Sequence, residues 1–226
     1  AGPAMAEVVA RENVDVIIYD EEFTATVDRA LEGRTGTTRI VAWTDTEDHP
    51  LTVESLIIDH LGLQPRRTGE KSRVILLTSG TTGTPKGANR SAPPSLAPVG
   101  GVLSSVPFKS GEVTSLPAPM FHALGYLHST IAMLLGSTLV LRRRFKPATV
   151  LADLERHHVT AMVVVPVMLS RILDELDKTS PKPNLSSLRI VFVSGSQLGA
   201  ELATRALKDL GPVIYNLYGS TEISFA

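Results

Sequence analysis

The stretch VTAMVVVPVMLSRILDEL, residues 159–176, changes its periodicity halfway along. Residues 159–165 form an apolar run rich in β-branched side chains and free of alternation, the pattern of a strand buried on both faces. Beyond Pro166 the apolar positions Leu169, Ile172, Leu173 and Leu176 recur at intervals of three and four. That is the spacing of a helix with one buried stripe. Proline is tolerated in the first turn of a helix, so Pro166 can open it. The stretch reads as one β-then-α unit.

The unit recurs on both sides. Short apolar runs at 113–116, 138–141, 188–193 and 213–217 alternate with amphipathic segments at 123–135, 148–157 and 198–210, and Pro147 can open the second of these. Such alternation implies right-handed crossovers and a mostly parallel sheet. Upstream, residues 14–19, 39–43 and 73–77 read as strands and 53–61 as a helix. The run SAPPSLAPVGG, residues 91–101, reads as an irregular connector and as the seam between two lobes. The expected fold class is α/β, two mostly parallel sheets flanked by helices, with lobes at residues 1–105 and 106–226.

Composition narrows the function classes. At 226 residues the chain can hold one large domain or two small ones, and 43% apolar with 20% charged residues is a globular balance. The formal net charge is −1, with Lys and Arg scattered, so nothing electrostatic points to nucleic acid or an anionic membrane. No apolar run approaches the roughly 18 residues of a membrane span. Cysteine is absent, which excludes disulfides, thiolate metal sites and cysteine nucleophiles. That is compatible with a reducing cytosol, and a cytoplasmic location is expected. The first residues lack the basic start and apolar centre of a signal peptide.

After the 73–77 strand comes Thr78-Ser79-Gly80-Thr81-Thr82-Gly83-Thr84-Pro85-Lys86-Gly87. A hydrophobic core has no use for so many hydroxyls and glycines. In open α/β sheets ligands bind beyond the carboxyl ends of strands. Gly80, Gly83 and Gly87 allow successive N–H groups to converge on an anion. The hydroxyls add donors and Lys86 adds a positive charge, a set suited to a pyrophosphate or triphosphate. This is not the Walker loop, in which Gly-Lys-Ser/Thr opens a helix. A solvated Gly/Thr turn is the plainer reading, and the joint presence of these residue types outweighs it.

Two further loops follow strands. Ser194-Gly195-Ser196-Gln197 succeeds 188–193, and Tyr218-Gly219-Ser220-Thr221-Glu222 succeeds 213–217. In a parallel sheet both leave the same edge. Tyr218 offers an aromatic face to a base, Thr221 a hydroxyl to phosphate, and Glu222 a carboxylate hard enough for Mg²⁺. Taken singly, Tyr218 is more often a core aromatic and Glu222 a solvated charge. Their convergence gives them weight. His122, in Pro119–Gly125 beyond another strand, can orient a carboxylate or bond a phosphate oxygen. It can equally be a histidine satisfied at a helix start. His157 and His158 end a helix, where a cation is favourable. His49, His60 and His128 have no constellation around them, and no zinc site is expected.

Read in order, these motifs resemble the adenylate-forming superfamily of acyl-CoA synthetases, peptide-synthetase adenylation domains and luciferases. Thr78–Gly87 is similar to the family's phosphate loop, Phe121-His122-x-x-Gly125 to its acyl-pocket motif, and Tyr218-Gly219-Ser220-Thr221-Glu222 to its Tyr-Gly-x-Thr-Glu. Ser194–Leu198 is similar to the loop lining adenine, with Gln197 where many members carry proline. The Pro-Met-Phe-His element looks most like fatty-acyl-CoA ligases. The resemblance implies a carboxylate attacking the α-phosphorus of MgATP to give an acyl-adenylate and pyrophosphate, then displacement of AMP by a thiol, usually coenzyme A. It implies Mg²⁺ on Glu222, the α-phosphate on Thr221, and His122 positioning the acid. The implied partners are ATP, AMP, a fatty or other carboxylic acid and coenzyme A.

Other parts of the family pattern have no counterpart. The ribose-gripping aspartate and the small C-terminal domain with its adenylation lysine are absent, and Lys86 is not that lysine. Both ends read as cut. The expectation is therefore a ligase parent whose fragment is inactive or only binds nucleotide. Strands that are central in a full large domain become edges here, and dimerisation is one way to cover them. The rivals are an adenylation domain loading a carrier-protein thiol and a non-catalytic nucleotide-binding module. A P-loop phosphotransferase is disfavoured.

Overall fold

The computed structural model describes residues 2–46, 49–64, 75, 77–78, 86–87, 97–217, 219–220 and 224–225. They fall into two compact units, the first holding residues 2–64, 77–78 and 86–87 and the second holding Ile75 and the residues from Ala97 onward.

The first unit contains helix α1 (Gly2–Arg11), strand β1 (Val16–Asp20), a 3-10 turn (Glu21–Phe23), helix α2 (Thr24–Ala30), strand β2 (Thr38–Trp43) and helix α3 (Val53–Asp59). β1 and β2 pair in parallel, Val16 opposite Thr38, with a register shift after Tyr19. Val9, Ile17, Val27 and Leu31 form a small core between this pair and the helices. α3 starts at a reciprocal cap: the Ser55 N–H donates to Thr52 Oγ1 at 2.9 Å and the Thr52 N–H to Ser55 Oγ at 3.1 Å. The sequence reading found α3, β1 and β2 but missed α1 and α2, whose few buried positions make weak stripes.

The end of β1 is fastened to the segment after β2 by one carboxylate. Glu21 accepts from Thr44 Oγ1 at 2.7 Å, Thr46 Oγ1 at 3.2 Å and the Asp45 N–H at 3.2 Å, and His49 Nε2 lies 3.1 Å away. These donors, Thr44 first, pull its pKa from about 4.5 down to about 2. Because the folded value is depressed, Glu21 stabilises this unit above about pH 4.5, and the gain disappears as pH falls toward 2. A Glu21→Gln variant should show a shallower loss of urea midpoint over that window than the parent. Parallel acid limbs would contradict the arrangement.

Strands β3 (Leu77–Thr78) and β4 (Lys86–Gly87) pair antiparallel, Thr78 opposite Lys86. The sequence reading ended the strand at residue 77 and released the loop there. Instead Thr78 is the last strand residue, and Lys86–Gly87 form the return strand. Ile75 lies outside any strand, and residues 73, 74, 76 and 79–85 are outside the described set.

The second unit is the repeating one. It contains α4 (Ala97–Ser105), β5 (Val113–Ser115), α5 (Ala123–Leu134), β6 (Thr138–Val140), α6 (Pro147–Arg156), β7 (Ala161–Val164), α7 (Pro166–Lys178), β8 (Ile190–Val193), α8 (Ala200–Leu210) and β9 (Ile214–Asn216). The five strands form one wholly parallel sheet in the order β6-β5-β7-β8-β9. Every residue of β7 and β8 is buried, the condition that produces apolar runs without alternation. Their side chains nevertheless alternate between two cores. Ala161, Val163, Ile190 and Phe192 pack with Val102 of α4, with Val106 just beyond that helix and with Ile131 of α5. Met162, Val164, Val191 and Val193 pack with α6, α7 and Ala206 of α8. Pro147 and Pro166 each stand in the first turn of their helices, as expected.

The connector expected over 91–101 is helical from Ala97 onward. Pro98 falls in the first turn, where it is harmless, and burial of Val102 and Val106 outweighs the two glycines between them and the helix start. Residues 91–96 are outside the described set.

Candidate functional site

The carboxyl ends of β5, β7, β8 and β9 share one edge of the sheet, and the segments leaving them are held there by backbone bonds. The Leu116 N–H donates to Val140 O at 3.1 Å and the Ala118 N–H to Val163 O at 3.3 Å, so the chain leaving β5 is tied to the strands on both sides. It then turns, with the His122 N–H donating to Pro119 O at 3.1 Å, and enters α5, whose N-cap is His122. The His122 side chain makes no cap bond and is exposed, with the Phe121 ring 4.5 Å away.

Gly125 explains the Phe-His-x-x-Gly spacing. A Cβ there would lie 2.2 Å from Pro119 O, so only glycine lets the first turn of α5 press against the 119–120 backbone. The turn that presents His122 depends on this contact.

On the neighbouring loop, the Ser194 N–H donates to Val164 O at 3.3 Å and its hydroxyl to Leu217 O at 2.9 Å. Ser194 is 7% exposed. Expected at the nucleotide loop, it joins the ends of β8 and β9 through its hydroxyl. Gly195 has φ +97°, a conformation that favours glycine, and a Cβ there would also press on Val165 Cγ1 at 3.1 Å. Ser196 and Gln197 are exposed beyond it.

The Leu217 N–H donates to Val193 O at 2.9 Å, which places the start of the next loop beside Ser194. Gly219 and Ser220 pair antiparallel with Phe225 and Ser224. Tyr218, Thr221 and Glu222 lie outside the described residues, as do Ser79, Gly80, Thr81, Thr82, Gly83 and Thr84. Of the expected site residues, the fold thus gathers His122, Ser194, Gly195, Ser196 and Gln197 on one edge, with Leu217 leading to the 218–222 motif. Among the described residues no three His, Cys, Asp or Glu side chains could together hold a metal ion.

His128 was passed over in the sequence, yet it is the most unusual side chain beneath this edge. It is 1% exposed on α5, its ring centroid 4.2 Å from that of Phe192 and 5.9 Å from that of Phe108. Nδ1 lies 3.0 Å from Leu124 O, and Nε2 has no partner among the described residues. An unmet buried acceptor costs on the order of 1–3 kcal/mol. Burial is the larger influence on its pKa, lowering it from 6.5 to about 4, so the ring is neutral at physiological pH. The signal was available as the apolar-face spacing Leu124, His128, Ile131, Ala132.

Comparison with known proteins agrees with these motifs. The AMP-binding enzyme family matches residues 1–226. The medium-chain fatty-acid–CoA ligase of Escherichia coli (strain K12) is 32% identical over 177 residues, 77% of this chain and 31% of that protein. The 4-coumarate–CoA ligase-like 8 of Arabidopsis thaliana is 31% identical over 156 residues, 68% of this chain and 28% of that protein. The chain thus spans about a third of the length of these relatives. Among solved structures, a benzoate CoA ligase from Burkholderia xenovorans LB400 superposes with a TM-score of 0.76 at 20% identity, over 98% of this chain and 44% of that one. That likeness is one of fold.

Proposed function

This chain belongs to the AMP-binding enzyme family, the adenylate-forming superfamily, and on that premise we propose that the protein activates a carboxylic acid, of fatty type by its Pro-Met-Phe-His element, with MgATP and passes the acyl group to coenzyme A. In the first step a carboxylate oxygen bonds to the α-phosphorus and the bond to pyrophosphate breaks. In the second a thiol sulfur bonds to the acyl carbon, and AMP leaves with the former carboxylate oxygen. The observation that carries the reading is the exposed His122 held by Gly125 on the sheet edge that also bears Gly195–Gln197.

The residues suit the charges involved. Five hydroxyls, three glycines and Lys86 within 78–87 supply donors and a cation for the departing pyrophosphate, and the Thr78–Lys86 pairing sets both ends of that segment. Glu222 is a hard oxygen donor suited to the magnesium that accompanies ATP, and Thr221 suits the α-phosphate. His122 would hold the acid in line with the phosphorus. Ser194 would act indirectly, by fixing Leu217 next to Tyr218.

Because the chain spans only part of its relatives, the decisive measurement is binding rather than turnover. Calorimetric titration with MgATP should give saturable binding, and the double variant Lys86→Ala, Glu222→Ala should bind about tenfold or more weakly, since two charge-assisted contacts are lost. A folded chain indifferent to MgATP would count against the reading.

A further inference from the structure

The sheet of the first unit is covered on one face and bare on the other. Along β1, Ile17 and Tyr19 turn toward the small core beneath α1 and α2, and Val16 and Ile18 turn the opposite way. The strand register carries this division to β2. Thr38 stands opposite Val16, Ile40 opposite Ile18 and, past the shift, Trp43 opposite Asp20. Val16 is 48%, Ile18 59% and Trp43 58% exposed. Parallel strands in α/β proteins ordinarily carry cover on both faces, so this outer face lacks its second layer among the described residues.

The apolar surface is too large for an idle one. α3 begins where Thr52 bridges Val41 at the side of β2 away from β1, and it exposes Ile57, Ile58 and Leu61 by 59%, 60% and 74%. Together with Val16, Ile18 and Trp43 these side chains expose roughly 700 Å². Monomers seldom leave more than a few hundred Å² of apolar surface in one patch, whereas each partner in a standard interface contributes about 800 Å².

We propose that this face packs against the same face of a second copy of the chain, as a closed two-fold dimer with the two sheets stacked about 10 Å apart. The face is its own complement. A two-fold axis lying in it and crossing the strands at Ile18 and Ile40 reverses the strands of the copy. Ile18 then meets Ile18, the large Trp43 lies over the small Thr38, and Asp20 lies over Val16. Asp20 is the one charged residue among these strand positions, and the reversal keeps the two carboxylates at opposite ends, so no like charges meet. The α3 helices of the two copies line the same side and flank the stacked sheets. The pairing is face to face, distinct from the covering of strand edges, and it stands independently of the acid-activating reading.

Trp43 is the single tryptophan of the chain, so its fluorescence reports this face alone. Sedimentation of the full chain over a range of concentrations, with emission read on the same samples, provides the test. The expected result is a rise from one chain to two and no further, with the emission moving to shorter wavelength in step. Ile18→Asp sets a carboxylate against its own copy and should weaken the dimer about tenfold or more. Ile58→Lys should weaken it too, and it reads the same pairing if circular dichroism shows Ile18→Asp to be unfolded. Met133→Lys, at a position 64% exposed on α5 in the other unit, should leave the dimer unchanged. The proposal is overturned by a chain that stays monomeric throughout, by association that runs on past two copies, or by a dimer that leaves the emission unmoved. It is equally overturned if a folded Ile18→Asp or Ile58→Lys variant dimerises as tightly as the parent. Short-wavelength emission already present in the monomer would show the face covered from within the chain, and that also overturns it.

Discussion

Replacing Gly125 by alanine is expected to cost the fold about 3 kcal/mol, the upper end of what overpacking a core usually costs. The added Cβ would sit 2.2 Å from Pro119 O, 2.6 Å from Pro119 C and 2.9 Å from Met120 Cα. All three are backbone atoms, so no side-chain rotation relieves the clash. Either α5 slides along the sheet or the turn closed by the His122 N–H opens, and in both cases His122 leaves its position at the rim. Gly100 provides the control, since a Cβ there meets nothing within 4 Å. Gly100→Ala in α4 should be neutral or stabilising by up to about 1 kcal/mol. Urea denaturation of the two variants checks this, and similar midpoints would refute the close approach at Gly125.

Arg142→Ala is expected to lower the urea midpoint clearly, though by less than breaking a fully buried pair would, because the arginine is partly in water. Arg142 grips Asp153 with a fork, Nε donating at 2.7 Å and a terminal nitrogen at 2.5 Å. The Asp153 side chain is 5% exposed and that of Arg142 46%. Removing the arginine therefore strands a buried carboxylate, whereas Asp153→Ala leaves a cation that water can reach. The first variant should be the worse of the two, and equal losses would contradict the geometry. The arginine, helped by His157 and Arg156, holds the Asp153 carboxyl below its usual range despite burial. The pair's contribution is thus present above the usual carboxyl pKa and fades as the solution is acidified through the depressed one. The deficit of Arg142→Ala should accordingly be greatest near neutrality and shrink in acid.

The second unit was legible because its strands are buried on both faces and its helices on one, so each element carries a distinct periodicity. Residues 159–176 hold both signatures side by side, and the sheet edge that gathers the loops followed from parallel order alone. The first unit was less legible. Among the described residues β1 and β2 pair with each other, β2 adding an isolated bridge from Val41 to Thr52, and Val16, Ile18 and Trp43 are exposed, so the buried-strand pattern is diluted. The helix at Ala97 hid behind Pro98, Gly100 and Gly101, residues that usually mark loops. At the site, glycine spacing and hydroxyl density could be read directly. The commitment of Ser194 to Leu217 and the unmet nitrogen of His128 could not, because both arise from neighbours distant in sequence.

The parallel strand order also bears on how the protein can diverge. Gly195 apart, the rim residues Ser196 and Gln197 stand clear of the core, so mutation can exchange them with little effect on folding. His128 is embedded between aromatic rings, and any replacement there must satisfy packing before it can alter chemistry. The exposed rim positions can therefore drift, while a change at the buried position must first be tolerated by the fold, and a lineage would make it rarely and alongside stabilising substitutions elsewhere.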